Sequence, residues 1–172
     1  MPMDDFNFPE AALLSKSLSR ELGIQVKATL NIGSSGLSPF PGTTQFPAED
    51  IEAIARRAIP NLPDTRPDSA FIVLTQRDIN TKDRSLRFNF TVHNKSTRIA
   101  IVSSARLVLG QSGKADLQTI RNRLAKMVKR NIGDVYFGYT RSTDIHDVMY
   151  SPIMSLDDVD KMGSDFISAK SK

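Results

Sequence analysis

The sequence predicts a single α/β domain with a mixed, mostly parallel, twisted sheet, an antiparallel strand at its edge, a long central helix and a short C-terminal helix. Three observations predict it. Apolar residues recur at helical spacing over 9–22, 48–59 and 116–136. Between these stretches lie short runs of continuous or alternating apolar residues, as strands covered on both faces or on one require. The chain has 172 residues, 40% of them hydrophobic, enough for one core spanning 1–172 without covalent staples.

Each element follows from its pattern. "PEAALLSKSLSREL" sets Ala11, Leu14, Leu18 and Leu22 on one helical face, and Gly23 stops the helix. "IQVKATLNI" alternates Ile24, Val26, Ala28 and Leu30, which predicts a half-buried strand. "GSSGLSPFPGTTQFP" has three Gly and three Pro and reads as a loop. "AEDIEAIARRAI" is a helix with acids in its first turn and Ile51, Ile54, Ala58 and Ile59 inward.

"AFIVLT" fits a buried strand, and "QRDINTKDRS" a polar loop. "LRFNFTV" puts Leu86, Phe88, Phe90 and Val92 on one strand face, "HNKS" turns the chain, and "RIAIVSS" returns, a hairpin over 86–104. From Asp116 to Tyr136 the stripe Leu117, Ile120, Leu124, Val128, Asn131 and Val135 predicts the long helix. Ser155 opens "SLDD", a capping pattern for a last short helix.

Composition excludes several chemistries. There is no cysteine, hence no disulfide, thiolate metal site or cysteine nucleophile. No apolar run reaches membrane-spanning length, and "MPMDDFNFPE" lacks the basic and apolar regions of a signal peptide, so the expected setting is the cytoplasm. The net charge of +4 raises nucleic-acid binding. Arg121, Arg123, Lys126, Lys129 and Arg130, however, are spread around a helix without aromatic platforms, which predicts a solvated face instead. No P-loop, dinucleotide fingerprint or Ser-His-Asp spacing is present.

Of the two histidines, His93 falls at the expected hairpin turn, where an exposed imidazole is expected. His146 is flanked by Asp144 and Asp147, a cluster that could bind a metal or orient a proton-transferring histidine, although such loops more often serve turn chemistry.

The stretch "FIVLTQRDINTKDRSLRFNFTVHNKSTRIAIVSSARL" resembles the archaemetzincins, zinc peptidases of the metzincin clan. "PFPGTTQFPAEDIEAI" before it and "VMYSPIMSLDDVDKMGSDF" after the long helix are similar in the same order, and the resemblance extends over 24–167. The family motif is HExxHxxGxxHC, four residues, Cys, one residue, Met. Two His at i and i+4 share a helix face, Gly lets the chain turn away, and the third His completes a tripod. The Glu is the general base for metal-bound water.

Gly138 and Met149 stand at the separation the motif prescribes for its Gly and Met. That anchoring puts Asn131, Ile132, Val135 and Arg141 where the family carries His, Glu, His and His. The positions of a second, cysteine-bound zinc fall on Ser142, Asp147, Ile167 and Lys170. Val and Ile have no lone pair to donate and Arg stays protonated, and Asp134 nearby cannot replace three His and a base. The resemblance therefore implies a pseudo-peptidase rather than an enzyme, with no catalytic residues and no bound zinc or other cofactor. Its implied partner is an extended peptide or protein along the edge strand of hairpin 86–104. The alternative is a zinc-dependent hydrolase with a relocated site at Asp144, His146 and Asp147, where Tyr136, Tyr139 and Tyr150 could donate to an oxyanion.

Overall fold

The computed structural model describes residues 1–110 and 113–167. Helix α1, Phe8–Leu22, is capped by the Asn7 side chain, which accepts from the Glu10 N–H at 3.1 Å, and ends on Gly23 at a φ of 66°. Strand β1, Gln45–Pro47, leads directly into α2, Ala48–Ala58, and a 3-10 turn at Ile59–Asn61. Strands β2, Phe71–Thr75, and β3, Asp78–Asn80, precede β4, Thr91–Asn94, and β5, Ile99–Ser103. A short ribbon of β6, Leu109–Gly110, and β7, Gly113–Lys114, introduces α3, Leu117–Ile132. A π-helical turn, Gly133–Phe137, follows α3, and α4, Leu156–Lys161, comes last with the predicted capping box at Ser155 and Asp158.

The sheet is mixed and mostly parallel. β2 runs parallel to β5, β5 antiparallel to β4, and β1 parallel to β3. β5 is the central strand of its sheet, and all five of its residues are buried, the continuous apolar pattern expected where helices cover a sheet. One core cluster joins α1, α3 and the C-terminal segment through Leu18, Phe90, Leu124, Val128, Met149 and Phe166. The other joins α2 to the sheet through Ile51, Ile79, Ile99 and Ile101. No helix is long and apolar enough to cross a membrane among the described residues.

Four local expectations are corrected. Residues 24–30 form no strand: Ile24, Val26 and Ala28 do pack against the core, but β2 takes its rungs from the backbone of Met1 and Met3 instead. "LRFNFTV" becomes a strand only at Thr91, because Asn89 N–H donates to Ile79 O at 3.0 Å and ties the upstream part to β3. That β3 lies inside the expected polar loop, held by Asn80, whose amide donates to Leu86 O and accepts from Asn89. Leu117 leaves the α3 stripe and is 58% exposed, since the first turn of α3 overhangs the core.

The basic residues of α3 do not form a solvated face. Arg123 is buried, pairs with both oxygens of Asp160 and donates to Leu107 O and Leu109 O. Lys129 is buried against Glu21, Asp165 and Ser164 O. Lys126 donates to the carbonyls of Val159, Asp160 and Met162, and Arg121 pairs with Glu10. Elements surround α3, so its cations satisfy carbonyls and carboxylates of those neighbours rather than water.

Candidate functional site

The site grows from the end of α3. Asp116 caps the helix by accepting from Thr119 N–H at 2.9 Å. After the sixteen residues of the helix the backbone widens into the π turn, a feature that re-aims side chains and is frequent at functional sites. Gly138 closes it with a φ of 70°, and the N–H of Tyr139 donates to Gly133 O at 2.8 Å. A side chain at Gly138 would be strained there, so this glycine releases the chain from the helix.

Under the turn lies Met149, 1% exposed. A Cβ on Gly133 would stand 2.6 Å from Met149 Sδ and 2.9 Å from Phe166 Cε1, so only glycine allows this approach. The loop carrying Met149 is itself tied down. Ser142 N–H donates to Met149 O at 3.0 Å, and Asp147, fully buried, accepts from Met149 N–H at 2.8 Å.

Around this platform the four motif positions carry side chains unsuited to zinc. Asn131 is fully buried with both ends of its amide engaged: Nδ2 donates to Met127 O at 2.7 Å, and Oδ1 accepts from Thr91 Oγ1 at 2.8 Å. Ile132 and Val135 are buried aliphatic side chains of the core. Arg141 points Nη2 at Asp134 Oδ2, 2.7 Å away, while Lys95 stands 4.0 Å from Oδ1. No hydrogen bond reaches that Oδ2, so charge, rather than directed hydrogen bonding, holds the pair. An engaged amide, two hydrocarbons and a cation give no donor set for a divalent ion.

The electrostatics match. Burial lowers the pKa of Arg141, with Asp134 opposing. Arg130 is pushed down to about 10, first by burial and then by Arg141, with Asp134 and Asp147 opposing; it remains a cation at neutral pH and donates to Val148 O and Tyr150 O. His93 is not at a turn. It sits half-buried on β4, and burial lowers its pKa against the pull of Asp134, with Arg141, Lys95 and Arg130 adding to the lowering. The strand position was not legible because the alternation in "LRFNFTV" ends one residue before it.

Asp144 accepts from the His146 N–H at 2.9 Å, His146 is exposed, and Asp147 is buried beneath Met149. Among the described residues no group of three His, Cys, Asp or Glu is placed to hold a metal ion. Tyr136 and Tyr139 both pack against Phe137, edge-on and stacked. Tyr139 also meets Phe166, while Tyr136 faces outward toward the α1 side. Ser142 and Asp147 belong to the Met149 loop, Ile167 is 43% exposed, and Lys170 lies outside the described residues.

Here a helix ends in a glycine-closed turn above a buried methionine, beside an antiparallel edge strand. The fold is similar to a zinc-dependent peptidase from Methanocorpusculum labreanum, with a TM-score of 0.77 and 20% identity over 98% of this chain and 94% of that one. It is similar to archaemetzincin from Archaeoglobus fulgidus, with a TM-score of 0.69 and 20% identity over 99% and 94%. Archaemetzincin from Methanopyrus kandleri gives 0.65 and 24% identity over 98% and 87%. No protein-family model and no curated protein sequence matches the chain.

Proposed function

We propose that this is a non-catalytic archaemetzincin-like domain that holds an extended peptide along the outer edge of β4. The observation that carries the reading is the replacement of the metal by an internal ion pair: Arg141 and Lys95 neutralise Asp134 where the motif would gather three histidines. Without ligands or a general base, hydrolysis has no machinery here, but strand addition needs only backbone groups.

Those groups are available. Ser103 N–H donates to Phe90 O at 2.9 Å, so Phe90, Val92 and Asn94 spend their backbone groups on β5. The alternation of an antiparallel ladder then turns those of Thr91 and His93 outward. Asn89, next in the same phase, is already bonded to Ile79, so the open edge runs from Thr91 to Asn94. Lys95, Arg141 and Arg130 outnumber Asp134 around His93, while Glu52 accepts from Asn94 at the end of the edge, which favours a peptide carboxylate near His93. The absence of cysteine suits the reducing cytoplasm, where we place the protein.

Titration of isotope-labelled protein with an acetylated, amidated hexapeptide alternating Glu and Val tests this. The amides of Thr91 and His93 shift while the peptide stays intact with zinc present, and His93→Pro, which removes the outward N–H along with the imidazole, weakens binding more than His93→Gln does. Zinc-dependent cleavage of the peptide, or unmoved Thr91 and His93 amides, would overturn the reading.

A further inference from the structure

We propose that Arg141 is a carboxylate-binding residue: its guanidinium, positioned by Asp134, receives one carboxylate of the bound ligand, with Lys95 beside it. The inference rests on the peptide reading for the carrier of that carboxylate, and on Arg141 and its neighbours for the site itself.

Arg141 differs from the other enclosed arginines. Arg77, Arg106 and Arg123 each donate at least two hydrogen bonds to a carboxylate, and Arg130 donates to two carbonyls. The Arg141 guanidinium makes no hydrogen bond among the described residues, although its Nη2 lies 2.7 Å from Asp134 Oδ2. Enclosed polar groups are normally bonded, and a guanidinium carries five N–H donors in a planar fork. With Nη2 toward Asp134, the Nε and Nη1 donors are left for a ligand. Lys95 Nζ, 4.0 Å from Asp134 Oδ1, is also without a hydrogen bond among the described residues, as is the half-buried His93 ring. Thr91 and Asn131, by contrast, satisfy each other at 2.8 Å, and Glu52 is engaged by Asn94 and Thr97. The uncommitted donors therefore gather around His93, Lys95 and Arg141.

The charge balance specifies the ligand. Arg141, Lys95 and Arg130 are the cations that act on His93, and Asp134 and Asp147 are the carboxylates that act on His93 and Arg130. Burial holds the His93 ring neutral at pH 7. The surplus is one positive charge, which a monoanion cancels and a phosphate dianion overshoots. Arg130 is buried on the carbonyls of Val148 and Tyr150, so it adds charge and no contact. A carboxylate also matches the guanidinium fork with two parallel bonds, a fit that a spherical anion lacks.

The arm that carries the fork is fixed in advance. Gly138 turns the chain out of the helix at a φ of 70°. Directly after Arg141, Ser142 N–H donates to Met149 O at 3.0 Å and Ser151 N–H donates to Ser142 O at 2.8 Å. Arg141 thus hangs between two anchored points, and the buried Asp134 draws its guanidinium back over the π turn. Asp134 touches no ligand; it sets where the fork stands. Little ordering remains for a carboxylate to impose on arrival.

The test follows the Arg141 Nε–H resonance of the isotope-labelled full chain during titration with sodium acetate, against sodium chloride at equal ionic strength. Acetate should shift that resonance saturably, and chloride should not. Arg141→Lys keeps a cation for Asp134 but loses the fork, and should weaken acetate binding, read at the Lys95 amide, by about tenfold. Lys95→Ala, at an exposed side chain, should weaken it by about threefold and leave the fold intact. Peptides then name the carrier. A blocked hexapeptide alternating Glu and Val that outranks its blocked Gln and Val counterpart identifies a side-chain carboxylate. The Gln and Val peptide with a free C-terminus, if it outranks its amide, identifies a terminal one. Either preference should vanish in Arg141→Lys. An unmoved Arg141 resonance, an equal response to chloride, peptides bound without regard to their carboxylates, or a preference that survives Arg141→Lys overturns the proposal. Acetate bound at Arg141 while peptides leave the Thr91 and His93 amides unmoved would remove the β4 reading and leave this site standing, so the two failures are distinct.

Discussion

Arg141 sets its guanidinium Nη2 2.7 Å from the Asp134 carboxylate, so one cation of the protein stands where the resembling motif would bring its third histidine to a metal. The carboxylate side chain is 1% exposed and the guanidinium 31%, which makes the two ends of the pair unequal. Arg141→Ala leaves a buried carboxylate without its nearest cation, with Lys95 4.0 Å away and Arg130 beyond, and should cost about 3 kcal/mol. Asp134→Ala leaves a cation that can turn to water and should cost about half as much. Urea denaturation of both variants checks the order; the reverse ranking would mean that Asp134 does not depend on this pair.

The His93 imidazole gives a pH dependence whose sign can be worked out. Burial depresses its folded pKa, opposed by Asp134 and reinforced by Arg141, Lys95 and Arg130. The unfolded chain therefore takes up a proton before the folded one as pH falls. Stability from this group is full above the unfolded value of about 6.5 and declines as pH drops through it toward the lower folded value. In His93→Gln the stability curve between about pH 7 and pH 5 should flatten relative to the parent. An unchanged slope would place the titration elsewhere.

Gly133 tests the packing of the helix end on the Met149 loop. An added methyl meets Met149 Sδ at 2.6 Å and Phe166 Cε1 at 2.9 Å, and Gly133→Ala should cost about 1–3 kcal/mol through overpacking. Gly138→Ala meets no atom within 4 Å but must adopt a φ of 70°, so its cost of about 1 kcal/mol comes from the backbone alone. Thermal unfolding separates the two if Met149→Leu, which removes the sulfur, rescues Gly133→Ala and leaves Gly138→Ala unchanged.

Much of this could be read from residue order. The spacing of Leu14, Leu18, Leu124 and Val128 fixes α1 and α3, Ser155 fixes α4, and the interval from Gly138 to Met149 locates the platform. What could not be read depends on partners distant in sequence. The alternation Ile24, Val26, Ala28 implies a strand, but a strand needs a neighbouring edge, and the edge of β2 is bonded to Met1 and Met3. The cations of α3 looked solvated because Asp160, Glu21 and the carbonyls they meet lie up to 108 residues away. His93 and Thr91 face α3 only because Asn89 is held by Ile79 and the ladder starts late.

The basic residues make a further prediction. Arg123→Ala removes two bonds to Asp160 and two to carbonyls from a buried site and should lower stability by about 3 kcal/mol. Lys and Arg already satisfied in this way have little left for phosphates. Binding of the parent chain to duplex DNA at low salt should therefore be undetectable at micromolar protein, and a steeply salt-dependent affinity would revise this picture.

The platform invites reconstruction. Asn131→His, Val135→His and Arg141→His together place three imidazoles at the motif spacing over an intact Gly138 and Met149. This triple variant should acquire zinc affinity that none of the single variants has. Failure to bind zinc while remaining folded would show that the π turn aims these positions away from a common centre.

The most direct measurement is the zinc content of the purified parent chain after exposure to zinc and desalting, read by elemental mass spectrometry. An ion pair at Asp134 and Arg141 in place of a metal centre predicts far less than one zinc per chain. One tightly held zinc per chain would contradict that reading and return His146, Asp144 and Asp147 as the first positions to mutate.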